Sequence, residues 1–141
     1  MESRITIVTL GVKDFKKSYL FYSALGFQTN AKPTDQIAFF KTNGTVLAIY
    51  PIDKLAEDIN PDLPKEKPVF SGVTLAHNVN KKSDVNDVLR QAQNAGGKIV
   101  KPAQDAFWGG FHGYFSDPDG HYWEVAYFDQ FKYDDHGNLQ L

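Results

Sequence analysis

The sequence contains no cysteine. Disulfide bridges, thiolate zinc sites and cysteine nucleophiles are therefore excluded. No run of apolar residues approaches the ~18 that a membrane-spanning helix needs. Neither sign of charge is in excess: 15 Lys and Arg stand against 17 Asp and Glu, a formal net charge of -2. The basic stripe of a nucleic-acid binder is thus missing. Met1 to Leu10 carries Glu2 and Arg4 and begins strand-like alternation at once, unlike a secretory leader, so the expected setting is cytoplasmic. Nucleophile elbow, phosphate loop and zinc-protease helix are also lacking. What is present is a 141-residue chain, 42% hydrophobic. That suffices for one domain with its own core. Its rings are unevenly spread: of 11 Phe, 7 Tyr and 2 Trp, 11 residues fall between Phe107 and Tyr133.

The order of elements reads as a repeat. Arg4 to Val12 is rich in β-branched residues and predicts a buried strand. Asp14 is a helix N-cap, Phe15, Tyr19 and Tyr22 share a helix face, and Gly26 ends the helix. Phe27 to Thr29 predicts a short strand, and Gln36 to Tyr50 a hairpin turning at Asn43-Gly44. The pattern then recurs. Phe70 to Val79 predicts a strand. Ser83 caps a helix with Val85, Val88, Leu89 and Ala92 on one face, and Gly96-Gly97 ends it. Lys98 to Val100 predicts a strand stopped by Pro102, and Gly113 to Phe128 a hairpin turning at Asp117-Pro118-Asp119-Gly120.

These landmarks give an α+β fold of two tandem βαβββ modules, about 4–55 and 70–128, within a single domain. A Pro-rich linker at about 56–69 joins them, and a polar tail, 129–141, is expected to be ordered in part at most. The spacing from Gly44 to Gly120 exceeds that from Gly26 to Gly96 by six residues, which marks an insertion at Phe107 to His112. Each curved sheet needs a helix on one face. The other faces are expected to enclose a cavity suited to a small ligand.

The first strand running into Asp14, the Ser18-x-x-Phe21-Tyr22 helix, Leu25-Gly26-Phe27 and the closing Asp117-Pro118-Asp119-Gly120-His121-Tyr122-Trp123-Glu124-Val125 together resemble the vicinal oxygen chelate superfamily. That group includes glyoxalase I, bleomycin-resistance proteins and extradiol dioxygenases. The resemblance spans residues 4–128, and the acidic turn with the strand after it is its most specific part. It implies four metal ligands, His or Glu, on the first and last strands of each module. Carried over position by position, they fall at Ile7, Ala48, a site near Thr74 (with Gly72 and Ala76 its neighbours of like parity) and Glu124. Only Glu124 is a usual ligand. A Lewis-acid metal needs about three, so no cofactor is the favoured expectation. The alternative is a rebuilt site for zinc, nickel, iron or manganese from Glu124 with His77, His112 and His121, although His121 is read as a turn residue and His112 as a loop residue.

Glu124 has two readings: a candidate acid/base in the concavity, or a carboxylate that only satisfies neighbouring polar groups. Phe39, Tyr50, Trp108, Phe111, Tyr114 and Trp123 either line a ligand pocket by stacking or fill the core. Gly109-Gly110 beside Trp108 would let that loop act as a lid. The functions in view are metal-independent binding of a small aromatic or amphipathic molecule, a divalent-metal lyase, isomerase or ring-cleaving dioxygenase, and a scaffold with a filled cavity. The resemblance also implies a homodimer. Nucleic acid and membrane are not expected partners.

Overall fold

Ile7–Val12 forms strand β1, as its β-branched composition predicts. Helix α1, Phe15–Ala24, begins where Asp14 Oδ1 accepts from the Lys17 amide at 3.0 Å. It ends at Gly26, whose φ of 94° is easy only for glycine. Strands β2, Ala38–Phe40, and β3, Val46–Pro51, complete a sheet ordered β1–β3–β2, with β1 parallel and β2 antiparallel to β3. Helix α2, Ile52–Ile59, follows directly. The computed structural model describes residues 1–66 and 68–140 and divides the chain into two compact units, Met1–Ser71 and Gly72–Leu141. Lys67 of the expected linker and Leu141 of the expected tail lie outside the described residues.

Strand alternation gives the first sheet two different faces. Leu10, Val12, Leu47, Ile49, Ala38 and Phe40 share one and are buried. Helix α1 covers them, with the Tyr22 ring 5.6 Å from that of Phe40. Ile7, Ala48, Tyr50 and Phe39 share the other face. Two elements of the first unit differ from those expected of the sequence. The strand at Phe27–Thr29 shrinks to a single bridge between Gln28 and Lys41. The chain after it turns, with Asp35 Oδ2 accepting from the Lys32 amide at 2.8 Å and Pro33 lacking a donor. The linker expected from residue 56 begins instead after α2, which runs to Ile59.

The second unit repeats the topology. Strand β4 is Thr74–Asn78, helix α3 is Lys82–Asn94, and strands β5, β6 and β7 are Lys98–Asp105, Phe111–Ser116 and Tyr122–Tyr127. The sheet order is β4–β7–β6–β5. In both sheets, then, the first strand runs parallel beside the last hairpin strand. The fold class is α+β, as expected. The turn between β6 and β7 is the expected one: buried Asp117 accepts from the amides of Asp119 and His121 at 3.0 and 2.8 Å.

Four boundaries differ from those expected of the sequence. Strand β4 starts at Thr74, leaving Phe70 outside it. Ser83 is not the cap; the helix starts one residue earlier and Ser83 donates to Asp84 within the first turn. Strand β5 continues through Pro102 to Asp105, because β5 is an edge strand and its register shifts around Lys101. An edge or a bulge is where a strand tolerates a residue with no N–H. The tail is folded: β8, Lys132–Tyr133, pairs with β9, Leu139–Gln140. Asp134 closes that hairpin by accepting from the amides of His136 and Asn138. Among the described residues no helix is long and apolar enough to cross a membrane.

Candidate functional site

The second sheet is two-faced like the first. Gly113, Phe115, Trp123 and Val125 alternate onto the side packed by α3, where a Cβ on Gly113 would meet Leu89 of that helix at 2.6 Å. The opposite side carries His112 and Tyr114 of β6 and Glu124 of β7, with Lys101 of β5 directly across from Tyr114. Tyr114 also lies directly across from Glu124. Three neighbouring strands thus present one polar row, and His112 stands two residues along β6 on the same face.

These side chains are joined. His112 Nδ1 lies 2.5 Å from Glu124 Oε1, and the Tyr114 hydroxyl donates to the same oxygen at 2.9 Å. Lys101 Nζ lies 2.9 Å from His112 Nε2. A lysine ammonium can only donate, so Nε2 must accept and the donor–acceptor balance assigns the ring proton to Nδ1. Nδ1–H then donates to the carboxylate. His112 is nearly buried and Glu124 keeps about a fifth of its side chain exposed (8% and 20%). Burial, followed by the hydrogen bond and charge of Glu124, pushes the Tyr114 phenol up to about 12. Glu124 Oε2 has no hydrogen bond among the described residues. Lys101 makes no ion pair among them and keeps N–H groups to spare.

Trp108 stands against this row. Its ring meets His112 edge-on at 5.5 Å and Phe128 at 5.5 Å. The turn from 106 to 110 is closed by hydrogen bonds between Ala106 and both Gly110 and Gly109. Gly110 is required because the Trp108 ring fills the space its Cβ would need. The glycine pair thus lets Trp108 fold back, while Phe107 projects fully exposed from the tip.

Of the residues read from the sequence, the structure brings together Glu124, Tyr114, Trp108 and His112. His112 is a buried strand residue, a correction of its reading as a loop residue: β6 begins at Phe111, directly after the glycines. Trp123 and Phe111 are not in this group. Alternation turns them to the α3 side, where Trp123 stacks with Phe115 at 6.1 Å and Phe111 lies under the Lys82 ammonium at 4.6 Å. His77 pairs with Val125 and also takes the α3 side. His121 is held in the Asp117 turn through its backbone. Phe39 and Tyr50 share one face of the first sheet. Nothing in the sequence singles out Lys101, because Pro102 after it argues against a continuing strand. A polar cleft of about 350 Å³ in the first unit, between Tyr19, Ser23, Gln28 and Lys41, involves none of these residues.

A family model described as Glyoxalase/Bleomycin resistance protein/Dioxygenase superfamily matches residues 4–125. The chain belongs to this superfamily. A glyoxalase-related enzyme from Fulvimarina pelagi is similar over 99% of this chain and 98% of its own, at 30% identity and a TM-score of 0.89. A glyoxalase/bleomycin resistance protein/dioxygenase from Nocardioides is 23% identical with a TM-score of 0.74, over 100% of this chain and 91% of its own. Lactoylglutathione lyase from Agrobacterium tumefaciens is 19% identical with a TM-score of 0.67, over 90% and 95%. Among curated proteins no sequence match is found.

The metal that the superfamily implies does not fit the donors of this glyoxalase-superfamily chain. The implied positions Ile7 and Ala48 carry hydrocarbon side chains. On β4 Ala76 lies directly across from Glu124, and none of Gly72, Thr74 and Ala76 is a usual metal ligand. Among the described residues no three His, Asp or Glu side chains converge. His112 and Glu124 are the two that meet, and the free pair of His112 Nε2 already accepts from Lys101.

Proposed function

We propose that this superfamily member binds a small aromatic or amphipathic molecule on the Glu124 side of its second sheet, and does so without the superfamily's metal. The observation that carries this is the state of Glu124. One carboxylate oxygen is fixed by His112 and Tyr114, and the other has no hydrogen bond among the described residues in a partly exposed side chain. A carboxylate held this way accepts strongly from a ligand hydroxyl or amine and loses little freedom in doing so. The edges and faces of Trp108 and Tyr114 supply apolar contact beside it. Glu124 is equally placed to take a proton from such a ligand, with neutral His112 donating to it and the Lys101 ammonium beyond.

Fluorescence titration tests the reading, since Trp108 adjoins the site. Aromatic alcohols and acids are added to the wild type and to Glu124→Gln. Saturable quenching that weakens about tenfold or more in the variant supports it. Wild-type fluorescence that answers to none of them, or a variant that binds equally well, contradicts it. A second copy of the chain is the proposed partner, and the cytoplasm the proposed setting. The half-exposed Ile7 and Phe39 of the first sheet supply apolar surface for a homodimer contact, which sedimentation measures.

A further inference from the structure

We infer that the ligand of this site is an aryl hydroxy acid: a molecule with an aromatic ring, a hydroxyl for Glu124 and an anionic carboxylate for Lys101. This rests on the binding reading above and narrows it. Lys101 is the ground for the anion. Its side chain is drawn in from the edge strand across the bulges that flank it, so that Nζ reaches His112 Nε2 at 2.9 Å and lies 5.8 Å from the centre of the Tyr114 ring. An ammonium has three N–H donors. One is used by His112, and no carboxylate of the described residues pairs with Lys101. The neighbouring cation of this unit is engaged differently: Lys82 pairs with Asp105 at 2.8 Å. Lys101 is thus a cation with no carboxylate partner among the described residues, placed at the end of a hydrogen-bonded row.

The other end of the row is Glu124, whose Oε2 has no hydrogen bond among the described residues. The imidazole of His112 holds the two charges apart and sets their separation. A ligand that satisfies both must offer an acceptor of negative charge to Lys101 and a donor to Glu124. Its ring would lie along Trp108 and Tyr114, whose rings flank His112 at 5.5 and 5.4 Å. A ligand with only the hydroxyl leaves Lys101 without its anion. One with only the carboxylate brings a negative group toward Glu124 with no proton to share.

Three probes separate these terms: mandelate carries ring, hydroxyl and carboxylate; benzyl alcohol lacks the carboxylate; phenylacetate lacks the hydroxyl. Binding is read by tryptophan fluorescence and by calorimetry. The expected result is that mandelate binds the wild type roughly tenfold or more tightly than either other probe, the worth of one charge-assisted hydrogen bond. Lys101→Met removes the preference for mandelate over benzyl alcohol, and Lys101→Arg restores it in part. In the wild type, added salt weakens mandelate and leaves benzyl alcohol unaffected, a readout that does not depend on any variant folding. Equal wild-type affinity for mandelate and benzyl alcohol overturns the hydroxy-acid inference while leaving the binding reading intact. Failure of all three probes to bind overturns both.

Discussion

Replacing Glu124 by alanine removes the acceptor shared by His112 and Tyr114, and the cost can be worked from their surroundings. His112 Nδ1–H loses its partner inside a side chain that is 8% exposed. A donor stranded in such a place costs about 1–3 kcal/mol. The Tyr114 hydroxyl is only part-buried and can turn to water, so it adds about 1 kcal/mol or less. The expected loss is therefore about 1–4 kcal/mol. Both tryptophans, Trp108 and Trp123, lie in the second unit, so their fluorescence in urea reports the unfolding of the unit that holds the site. A cycle with His112→Ala sharpens the measurement. When His112 is already absent, Glu124→Ala should cost about 1–3 kcal/mol less, because no imidazole is left stranded. A loss below about 0.5 kcal/mol, or a strictly additive cycle, would refute the hydrogen-bonded row.

Further consequences follow from the same geometry. The Tyr114 phenol, pushed to about 12, should ionise above the ordinary tyrosine range, and Glu124→Gln should bring it down. Because its folded value is raised, the stability it contributes is complete below the ordinary value near 10 and is lost as pH rises from there to about 12; difference spectra of wild type and Tyr114→Phe measure this, and a phenol titrating at its ordinary value would contradict it. Gly113→Ala should destabilise the second unit by about 1–3 kcal/mol, since the new Cβ meets Leu89 Cδ1 at 2.6 Å and the Lys101 carbonyl oxygen at 2.8 Å. Wild-type stability in that variant would show that α3 does not seat on β6 as described. Protein prepared without chelator should carry no stoichiometric zinc, nickel, iron or manganese; one ion per chain would contradict the donor-set argument.

Local signals in the sequence carry the fold. The Asp14 cap, the glycines that end α1 and α3, and the acidic turn before β7 each act within a few residues, so their chemistry can be read along the chain. The site is legible only in part. Glu124 stands out because its strand is otherwise apolar and aromatic. Trp123 is its neighbour in sequence, yet alternation alone sends the two to opposite faces. The same rule separates Phe111 from His112. Period-two alternation, applied strictly along β6 and β7, sorts these residues from the sequence alone. Lys101 is a different case. Its position depends on a strand that continues through Pro102 with shifted register, and bulges of this kind are set by cross-strand pairing, not by the residues that contain them. The folded tail likewise rests on Asp134 gathering amides on the far side of its own turn.

The proposed site around Glu124 binds its ligand without a metal. The most direct test of this is a titration of metal-stripped protein, kept in chelator, with mandelate under tryptophan fluorescence, run beside Glu124→Gln. The expected result is saturable binding to the stripped wild type and a loss of roughly tenfold or more in the variant. Binding that emerges only when a divalent metal is restored, or that ignores the loss of the Glu124 charge, would contradict it.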